Sequence, residues 1–319
     1  MSPKILTALA ASLALALTGC GAEATADADD DDVSVAVEHA MGTTTIEGKP
    51  QRIVALDSSY ADTTLLLEKE LVGITTYRAY STDLPDYLGD ARGEYAADVE
   101  SVGELEAPSL EKIAALEPDL IVSAKIRHEA LYDQLSQIAP TIMSETTGAT
   151  FKDNIRLLAE AVGEEELAEQ KIAAYETAAA EVGTAVNEKA GHPTISVTRF
   201  LDGPTRLYLN DTYSGIVLND AGLARPEPQD TTGFALEISE ENIQQADADK
   251  IFVTTYEDEE GLALKTKQAF ENNPLWKPLE PKVTEVSDTT WMTAVSLQGA
   301  YYILADIATT FGVEAPAIP

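Results

Sequence analysis

The longest regular pattern of apolar and polar positions covers residues 164–190. Gly191 and Pro193 follow this stretch and are residue types that end helices. At ~1.5 Å per residue, a helix of this length runs roughly 40 Å, which is long for a helix inside one globular unit. Apolar residues recur at steps of three and four, which puts one stripe on one helical face: Ala168, Ile172, Tyr175, Ala179, Val182 and Val186. We expect one long helix that connects two parts of the molecule.

A second pattern occurs once on each side of that helix. Each copy predicts a short helix, a turn and a buried strand. Such units are common in α/β proteins, but here the acid and isoleucine positions also match: Glu111, Ile113, Asp119 and Ile121 in the first copy, and Glu241, Ile243, Asp249 and Ile251 in the second. The predicted fold class is therefore α/β, with two α/β lobes that contain mainly parallel sheets and are joined by a single long helix.

Shorter runs predict the remaining elements. Apolar and β-branched runs predict strands near residues 33–46, 51–56, 71–75, 139–142, 194–200, 205–209 and 283–286. Helical spacing predicts helices near residues 61–69, 129–137, 151–161, 214–221 and 297–311, with loops at 81–100 and 224–232. Ligands of parallel sheets bind beyond the carboxyl ends of the strands, so residues that follow strands are the candidates for a site.

The N-terminus carries a targeting pattern. Lys4 precedes an apolar run over residues 5–17 that is too short to span a bilayer. Small residues then lead to Cys20, the single cysteine, and this arrangement resembles the lipobox of bacterial lipoproteins. The resemblance implies acylation of Cys20, whereas an ordinary signal peptide with a chance cysteine is the alternative. The predicted organisation is a signal peptide (1–19), a lipidated Cys and acidic tether (20–32), an N-terminal lobe (33–163), the connecting helix (164–190) and a C-terminal lobe (191–319).

Composition narrows the possible partners. The chain has 319 residues, 45% of them hydrophobic, which suits a globular protein of two domains. The formal net charge of −34 argues against nucleic acid and anionic membrane surfaces as electrostatic partners. With one cysteine, the fold cannot depend on intramolecular disulfides.

Basic side chains follow several predicted strands. Arg78, Arg127 and Arg199 end or follow a strand, and Arg206 lies on the returning strand of a hairpin. Guanidinium groups bind carboxylate or catecholate oxygens through paired hydrogen bonds. A surface salt bridge is a sufficient explanation for any one of these arginines. Four arginines at strand ends together favour one shared anion-binding pocket. Aromatic residues at strand ends join this candidate site: Tyr60, Tyr77, Tyr208, Tyr213 and Trp291.

Metal-ligand and catalytic motifs are weak in this sequence. His39, His128 and His192 are the only histidines, and no paired His or Cys spacing of a metal site occurs. His128 near Ser123 is the one base and nucleophile that can be placed together. We predict no enzyme, no cofactor and no metal bound by protein side chains.

Glu111 and Glu241 stand at equivalent helix starts in the two repeated units. Complementing the helix dipole explains each acid and is worth ~0.3–1 kcal/mol. The functional interpretation is a pair of exposed acids, one on each lobe, that dock on basic residues of a membrane partner.

The lipobox, the plan of strands around one long helix and the segment PSLEKIAALEPDLI resemble the substrate-binding proteins of bacterial iron–siderophore ABC importers. Further segments resemble the subgroup for ferric hydroxamate and mixed citrate–hydroxamate siderophores: 125–141, 151–154, 197–200, 206–208, 214–218, 225–227 and 273–276. The resemblance implies that Glu111 and Glu241 meet arginines of a permease. It also implies that the cleft is lined by Arg78, Arg127, Arg199, Arg206 and Trp291, to which Tyr60 and Tyr208 are added from their positions.

Citrate-type relatives carry a basic cluster in the final segment, whereas residues 291–296 here have none, which favours a less charged hydroxamate complex. We expect a monomeric, lipid-anchored protein on the outer face of the cytoplasmic membrane, either extracellular or periplasmic. It would capture a ferric siderophore, with iron as cargo inside the chelate, and deliver it to an ABC permease. A haem- or corrinoid-binding receptor of the same fold is the alternative, and a surface esterase or hydrolase acting through His128 is a remote one.

Overall fold

The computed structural model describes residues 34–78 and 80–319. The predicted signal peptide, Cys20 and the acidic tether therefore lie outside the described residues. Within the described ranges, none of the helices combines the length and the apolar character needed to span a bilayer.

The first sheet precedes the long helix in the chain and has six strands. A hairpin of β1 (Ser34–His39) and β2 (Gly42–Glu47) comes before it. The sheet strands are β3 (Arg52–Ala55), β4 (Glu70–Thr76), β5 (Glu100–Glu104), β6 (Ala107–Pro108), β7 (Leu120–Ala124) and β8 (Thr141–Ser144). Their order is β6-β5-β4-β3-β7-β8, and every neighbouring pair is parallel except β5 with β6. Helices cover both faces of such a sheet, which explains why all five residues of β7 are buried.

Short helices connect these strands: α1 (Ser58–Leu66), α2 (Ala91–Tyr95), α3 (Leu110–Ala115), α4 (Lys125–His128), α5 (Tyr132–Leu135) and α6 (Phe151–Val162), with 3-10 turns at Asp86–Leu88 and Glu129–Leu131. Helix α1 begins earlier than predicted because Asp57 caps it by accepting from the Ser59 N–H. The prediction of one helix over 129–137 is wrong. Residues 129–135 form instead the 3-10 turn Glu129–Leu131 and the short helix α5, Tyr132–Leu135, with the boundary at Leu131, whose φ is −101°.

The second sheet has the order β11-β10-β9-β12-β13. Its strands are β9 (Ile195–Phe200), β10 (Thr205–Tyr208), β11 (Ala235–Ile238), β12 (Lys250–Thr255) and β13 (Val283–Glu285). Strands β9, β12 and β13 pair in parallel, whereas β10 is antiparallel to both neighbours. Around this sheet lie α8 (Tyr213–Asp220), α9 (Leu262–Asn272), α10 (Leu297–Phe311), 3-10 turns at Glu227–Gln229, Glu240–Ala246 and Glu280–Lys282, and a π-helical turn at Thr289–Thr293.

The predicted connecting helix is present as α7, Glu165–Ala190. All six residues of its apolar stripe are buried, and Gly191 ends it in the left-handed region with φ 74°. Gly183 lies where α7 meets the end of α8, since an added Cβ would stand 1.6 Å from the Ala221 carbonyl oxygen. Helix α7 also contacts α6 of the first half and α10 of the second, so it lies against both parts of the molecule.

The repeated unit predicted from sequence also has a structural equivalent. Asp119 accepts from the backbone N–H groups of Gln51 (3.0 Å) and Arg52 (2.9 Å), at the start of β3. Asp249 accepts from the Thr194 N–H (2.8 Å), at the start of β9. In each half, the acid before one parallel strand thus fixes the beginning of its neighbour.

Candidate functional site

A cavity of about 630 Å³ lies at the carboxyl ends of the parallel strands and takes its walls from both halves of the chain. Residues after β3, β4, β7 and β8 form one wall. The other wall comes from β9, β10, the start of α8 and the 291–295 segment. Six of the seven predicted ligand-binding residues line it: Arg78, Arg127, Arg199, Arg206, Tyr208 and Trp291.

Arg127 is held by a buried carboxylate. Its Nε donates to Asp57 Oδ2 at 3.0 Å, and the Asp57 side chain is only 4% exposed because it also caps α1. One third of the Arg127 side chain is exposed, so part of the guanidinium faces the cavity. The salt bridge fixes the direction of the guanidinium and cancels its charge.

Arg199 lies in a more closed setting. Its Nε and Nη2 donate to the two carboxylate oxygens of Asp288 at 2.6 Å and 2.5 Å, and its Nη1 donates to the Tyr208 hydroxyl at 3.0 Å. Burial opposes the positive charge, but Tyr208 and Asp288 outweigh burial, and the pKa of Arg199 is raised. With all three of its nitrogens bonded, Arg199 orients Tyr208 at the floor of the cavity.

Arg206 and Arg78 lie nearer to solvent. Arg206 donates to Glu237 Oε1 at 3.2 Å and 3.3 Å. The Arg78 guanidinium lies over the rings of Tyr77, at 4.8 Å, and Tyr256, at 4.4 Å. Of the described carboxylates, none lies within salt-bridge distance of Arg78, which distinguishes it from the other three arginines.

Charge in and behind the cavity wall is close to balanced. Asp57, Asp288 and Glu237 each pair with one arginine, and Asp211 is a further lining acid. The formal charges of the four arginines and these four acids therefore sum to zero. The positive potential concentrates at Arg78, because each of the other arginines has a carboxylate within salt-bridge distance.

Two of the aromatic residues that were predicted to bind the ligand have their rings buried in the hydrophobic core. The Trp291 backbone segment lines the cavity, but its ring is buried, stacks on Phe252 at 4.7 Å and donates from Nε1 to Asp306. Tyr60 is fully buried and does not line the cavity; its hydroxyl donates to Ser144. This placement corrects the expectation for Tyr60, which belongs to α1, a helix whose 9 residues are all buried.

Sequence reasoning missed several apolar and aromatic residues near the cavity. Ile126 is 67% exposed and Phe234 is 59% exposed, and they line the cavity from opposite halves of the chain. Phe234 packs edge-on against Tyr208 at 5.3 Å. The only sequence signal was local: Ile126 lies between Lys125 and Arg127 directly after a strand.

The Ser123 and His128 pair exists but is enclosed. Ser123 Oγ lies 2.7 Å from His128 Nδ1, and His128 Nε2 lies 2.6 Å from the Leu105 carbonyl oxygen. Burial lowers the pKa of His128, and neither residue lines the cavity. The pair ties β7 to the loop after β5. Glu111 and Glu241, the two candidate docking acids, are exposed at the first turns of their short helices.

Two sheet-centred parts, one long connecting helix and a cavity of recognition groups between them define a solute-binding protein. Residues 53–280 match the periplasmic binding protein family, and the chain belongs to this family. Membership identifies it as a binding protein and not an enzyme, and it confirms the predicted fold class.

Several known proteins are similar to this chain over most of their length. The probable siderophore-binding lipoprotein YfiY of Bacillus subtilis is 34% identical, with 86% of this chain and 87% of that protein aligned. The Fe(3+) dicitrate-binding periplasmic protein FecB of Escherichia coli is 28% identical over 86% of this chain and 89% of its own. The crystal structure of Staphylococcus aureus SirA complexed with staphyloferrin B is 30% identical with a TM-score of 0.78, and covers 88% of this chain and 100% of that chain.

Proposed function

We propose that this protein captures a ferric siderophore outside the cytoplasm and delivers it to an ABC permease for iron uptake. The cavity with four arginines carries the proposal, together with relatives that are named for siderophore or ferric citrate binding. Iron is the cargo and stays inside the chelate.

The balanced charge of the cavity supports a chelate of low charge. In a citrate–hydroxamate siderophore, two hydroxamates and one α-hydroxycarboxylate carry one negative charge more than ferric ion neutralises. A monoanion of this kind matches the single arginine without a described carboxylate, Arg78. A multiply charged tricarboxylate complex would need further cations. We therefore propose a hydroxamate or mixed citrate–hydroxamate ligand.

Within this proposal the side chains have different roles. Arg78 pairs with the negative charge of the chelate. Arg127 and Arg206 lie at the rim and donate to the chelate from the guanidinium N–H groups that do not bond to their carboxylate partners. Arg199 and Tyr208 form the floor. Trp291 supports the wall from behind through its contact with Phe252.

A ligand titration of the mature chain without its lipid tests the function. Tryptophan fluorescence would be followed during additions of a ferric trihydroxamate, a ferric citrate–hydroxamate and a ferric triscatecholate, each beside its iron-free form and an absorbance-matched control. We expect saturable quenching at submicromolar concentration by a hydroxamate-containing ferric complex. Saturation by the triscatecholate alone would contradict the ligand class. Haemin is titrated in the same way, and saturation by haemin alone would favour the haem alternative.

The proposal extends to the membrane side. Cys20 is the acylation site, the chain is anchored to the outer face of the cytoplasmic membrane as a monomer, and Glu111 and Glu241 dock on the permease. The 3-10 turn that carries Glu241 lies beside Leu275, which is 42% exposed and whose carbonyl accepts from Gln244 of that turn at 2.9 Å. An acid beside an exposed leucine suits a transient contact with a basic, partly apolar surface.

Substitution of Glu111 or Glu241 by Ala separates docking from ligand capture. We expect iron uptake to fall in each variant while ligand affinity stays unchanged, because both side chains are exposed and neither lines the cavity. Glu188→Ala on the exposed face of α7 is the matched control, with normal uptake expected. Normal uptake in the doubly substituted Glu111→Ala, Glu241→Ala protein would remove these acids from the docking surface.

A further inference from the structure

Asp62 is a buried acid at the junction of the two cavity walls. It lies in α1, is fully enclosed, and its carboxylate accepts from three hydroxyl groups: Tyr80 at 3.0 Å, Tyr87 at 2.5 Å and Ser296 at 2.6 Å. Among the described residues, no basic side chain forms a salt bridge with it. Hydroxyl bonds to a carboxylate are stronger than bonds between neutral groups, so each of the three attaches its segment firmly.

Two of the three donors belong to the loop after β4. Tyr80 pairs with Tyr77 through reciprocal backbone hydrogen bonds, both 2.9 Å long, and Arg78 lies in this turn with φ 55°. Tyr87 belongs to the 3-10 turn Asp86–Leu88 of the same loop, and its hydroxyl also contacts the Tyr80 hydroxyl. Asp62 therefore fixes the loop that carries Arg78.

The third donor belongs to the other half of the chain. Ser296 caps α10 by accepting from the Gly299 N–H at 3.1 Å, while its hydroxyl donates to Asp62. Two neighbouring bonds cross the same junction. Gln298 Nε2 donates to the Asp62 carbonyl at 2.8 Å, and Ser58 Oγ donates to the Thr293 carbonyl at 3.2 Å. The segment just before Ser296 contributes Met292, Thr293 and Val295 to the cavity wall.

We propose that Asp62 is a positioning residue for the ligand site, because its carboxylate holds the Arg78 loop and the 289–296 segment at one spacing. The effect on ligand affinity rests on the proposed function, whereas the coupling between the two segments does not. Removal of one hydroxyl or of the charge leaves a buried polar group without its bond. Both segments would then gain freedom, although neither Asp62 nor Ser296 lines the cavity.

The arrangement predicts a proton effect on binding. The groups that face Asp62 are the hydroxyls of Tyr80, Tyr87 and Ser296, with the Asp57 carboxylate and the Tyr213 phenol nearby. Burial raises the pKa of Asp62 to about 7, against the opposing effect of its hydroxyl bonds. A protonated Asp62 must itself donate, so one hydroxyl loses its acceptor. A ligand that needs both walls in place favours the ionised form and releases a proton near neutral pH.

Hydrogen exchange of the ligand-free protein tests the coupling. The variants are Asp62→Asn and Ser296→Gly, the second chosen because Gly is well tolerated at a helix N-cap. Ser109→Gly, which removes the cap of α3, is the matched control. We expect exchange in both 77–88 and 289–299 to rise about tenfold in each test variant, as loss of one bond to a charged group predicts, and to stay unchanged in the control.

A rise confined to residues near α10 in Ser296→Gly would overturn the proposal, since the Arg78 loop would then be independent of that bond. If Asp62→Asn does not fold, Ser296→Gly decides alone.

Calorimetry with the ferric chelate that binds the unmodified protein completes the test. We expect about tenfold weaker binding in both variants, and loss of the proton release at pH near 7 in Asp62→Asn. If no chelate binds the unmodified protein, the proposed function fails, and the exchange result still tests the coupling.

Discussion

At the scale of single residues, the cavity arginines differ in what they leave for a ligand. Arg199 uses Nε, Nη1 and Nη2 in bonds to Asp288 and Tyr208, and only 6% of its side chain is exposed. Arg78 is exposed and contacts two aromatic rings. The same residue type is thus part of the scaffold at one position and, in the proposed function, a ligand-recognition group at the other.

This difference predicts opposite effects of substitution. Arg199→Gln leaves the Asp288 carboxylate buried without its cation and should lower the free energy of unfolding by roughly 3 kcal/mol, measured by urea denaturation. Arg78→Gln should leave stability within about 0.5 kcal/mol and weaken ligand binding at least about tenfold, through loss of a charge-assisted contact. Arg156→Gln, an exposed arginine of α6, is the control for both measurements. Equal loss of stability in the Arg78 and Arg199 variants would contradict this division.

Asp62 predicts a pH dependence of stability with a definite sign. Its pKa rises from 3.8 to about 7 on folding, so the folded chain binds this proton more tightly than the unfolded chain. The stabilisation is complete at pH below about 4 and is lost as the pH rises toward about 7. The free energy of unfolding of the unmodified protein, minus that of Asp62→Asn, should therefore fall across this window. A difference that stays constant from pH 4.5 to 8 would show that Asp62 does not titrate in the window.

At the scale of elements, α7 combines a local and a long-range requirement. Its buried stripe follows from the spacing of apolar residues along the helix. Gly183 instead reflects the approach of α8, whose Ala221 carbonyl occupies the place of a Cβ. Helix propensity and packing therefore oppose each other at this residue.

Gly183→Ala is expected to destabilise the protein, although Ala is the better helix former by ~1 kcal/mol. A Cβ at 1.6 Å from a carbonyl oxygen forces α7 and α8 apart, and overpacking of this kind costs about 1–3 kcal/mol. Gly93→Ala in α2 is the control, because no atom outside its own neighbours lies within 4 Å of the added Cβ. Thermal unfolding of both variants compares them directly; a Gly183 variant as stable as the Gly93 variant would contradict the close contact.

Helices and strands could be predicted from the sequence where their apolar and polar residues lie on clearly separate faces. The predicted limits of α10, 297–311, are those observed, and α7 differs by one residue, because both helices bury a continuous stripe. Strand β11 and helix α9 were not predicted. Only one residue of β11 and two of α9 are buried, so neither carries a clear apolar period. The single helix predicted over 129–137 is a 3-10 turn followed by a helix of 4 residues, and apolar spacing does not separate two such short elements.

At the scale of the whole molecule, the full chain has a formal charge of −34, whereas the cavity is nearly neutral. Acids therefore dominate the outer surface, where they repel one another. Such a surface keeps the protein away from other anionic surfaces. It also makes stability sensitive to ionic strength.

Raising NaCl from about 0.01 M to about 0.5 M should raise the thermal unfolding temperature, because the screening length falls from ~30 Å to below ~10 Å and the repulsion weakens. The same series in KCl is the control for ion-specific effects and should give the same curve. An unfolding temperature that is flat or falls with both salts would show that self-repulsion is not a significant term.

Local spacing in the chain is sufficient to specify the long helix, the two equivalent units and the strand ends where arginines gather, because these follow from periodicity within a few residues. The roles of those arginines are not specified locally. Asp288, whose carboxylate accepts from Arg199, lies 89 positions from Arg199 in the sequence. Ser296, whose hydroxyl donates to Asp62, lies 234 positions from Asp62. Burial of Tyr60 and Trp291 likewise depends on which surfaces meet. Pairing and burial of this kind arise only when distant segments pack together, so they belong to the folded molecule.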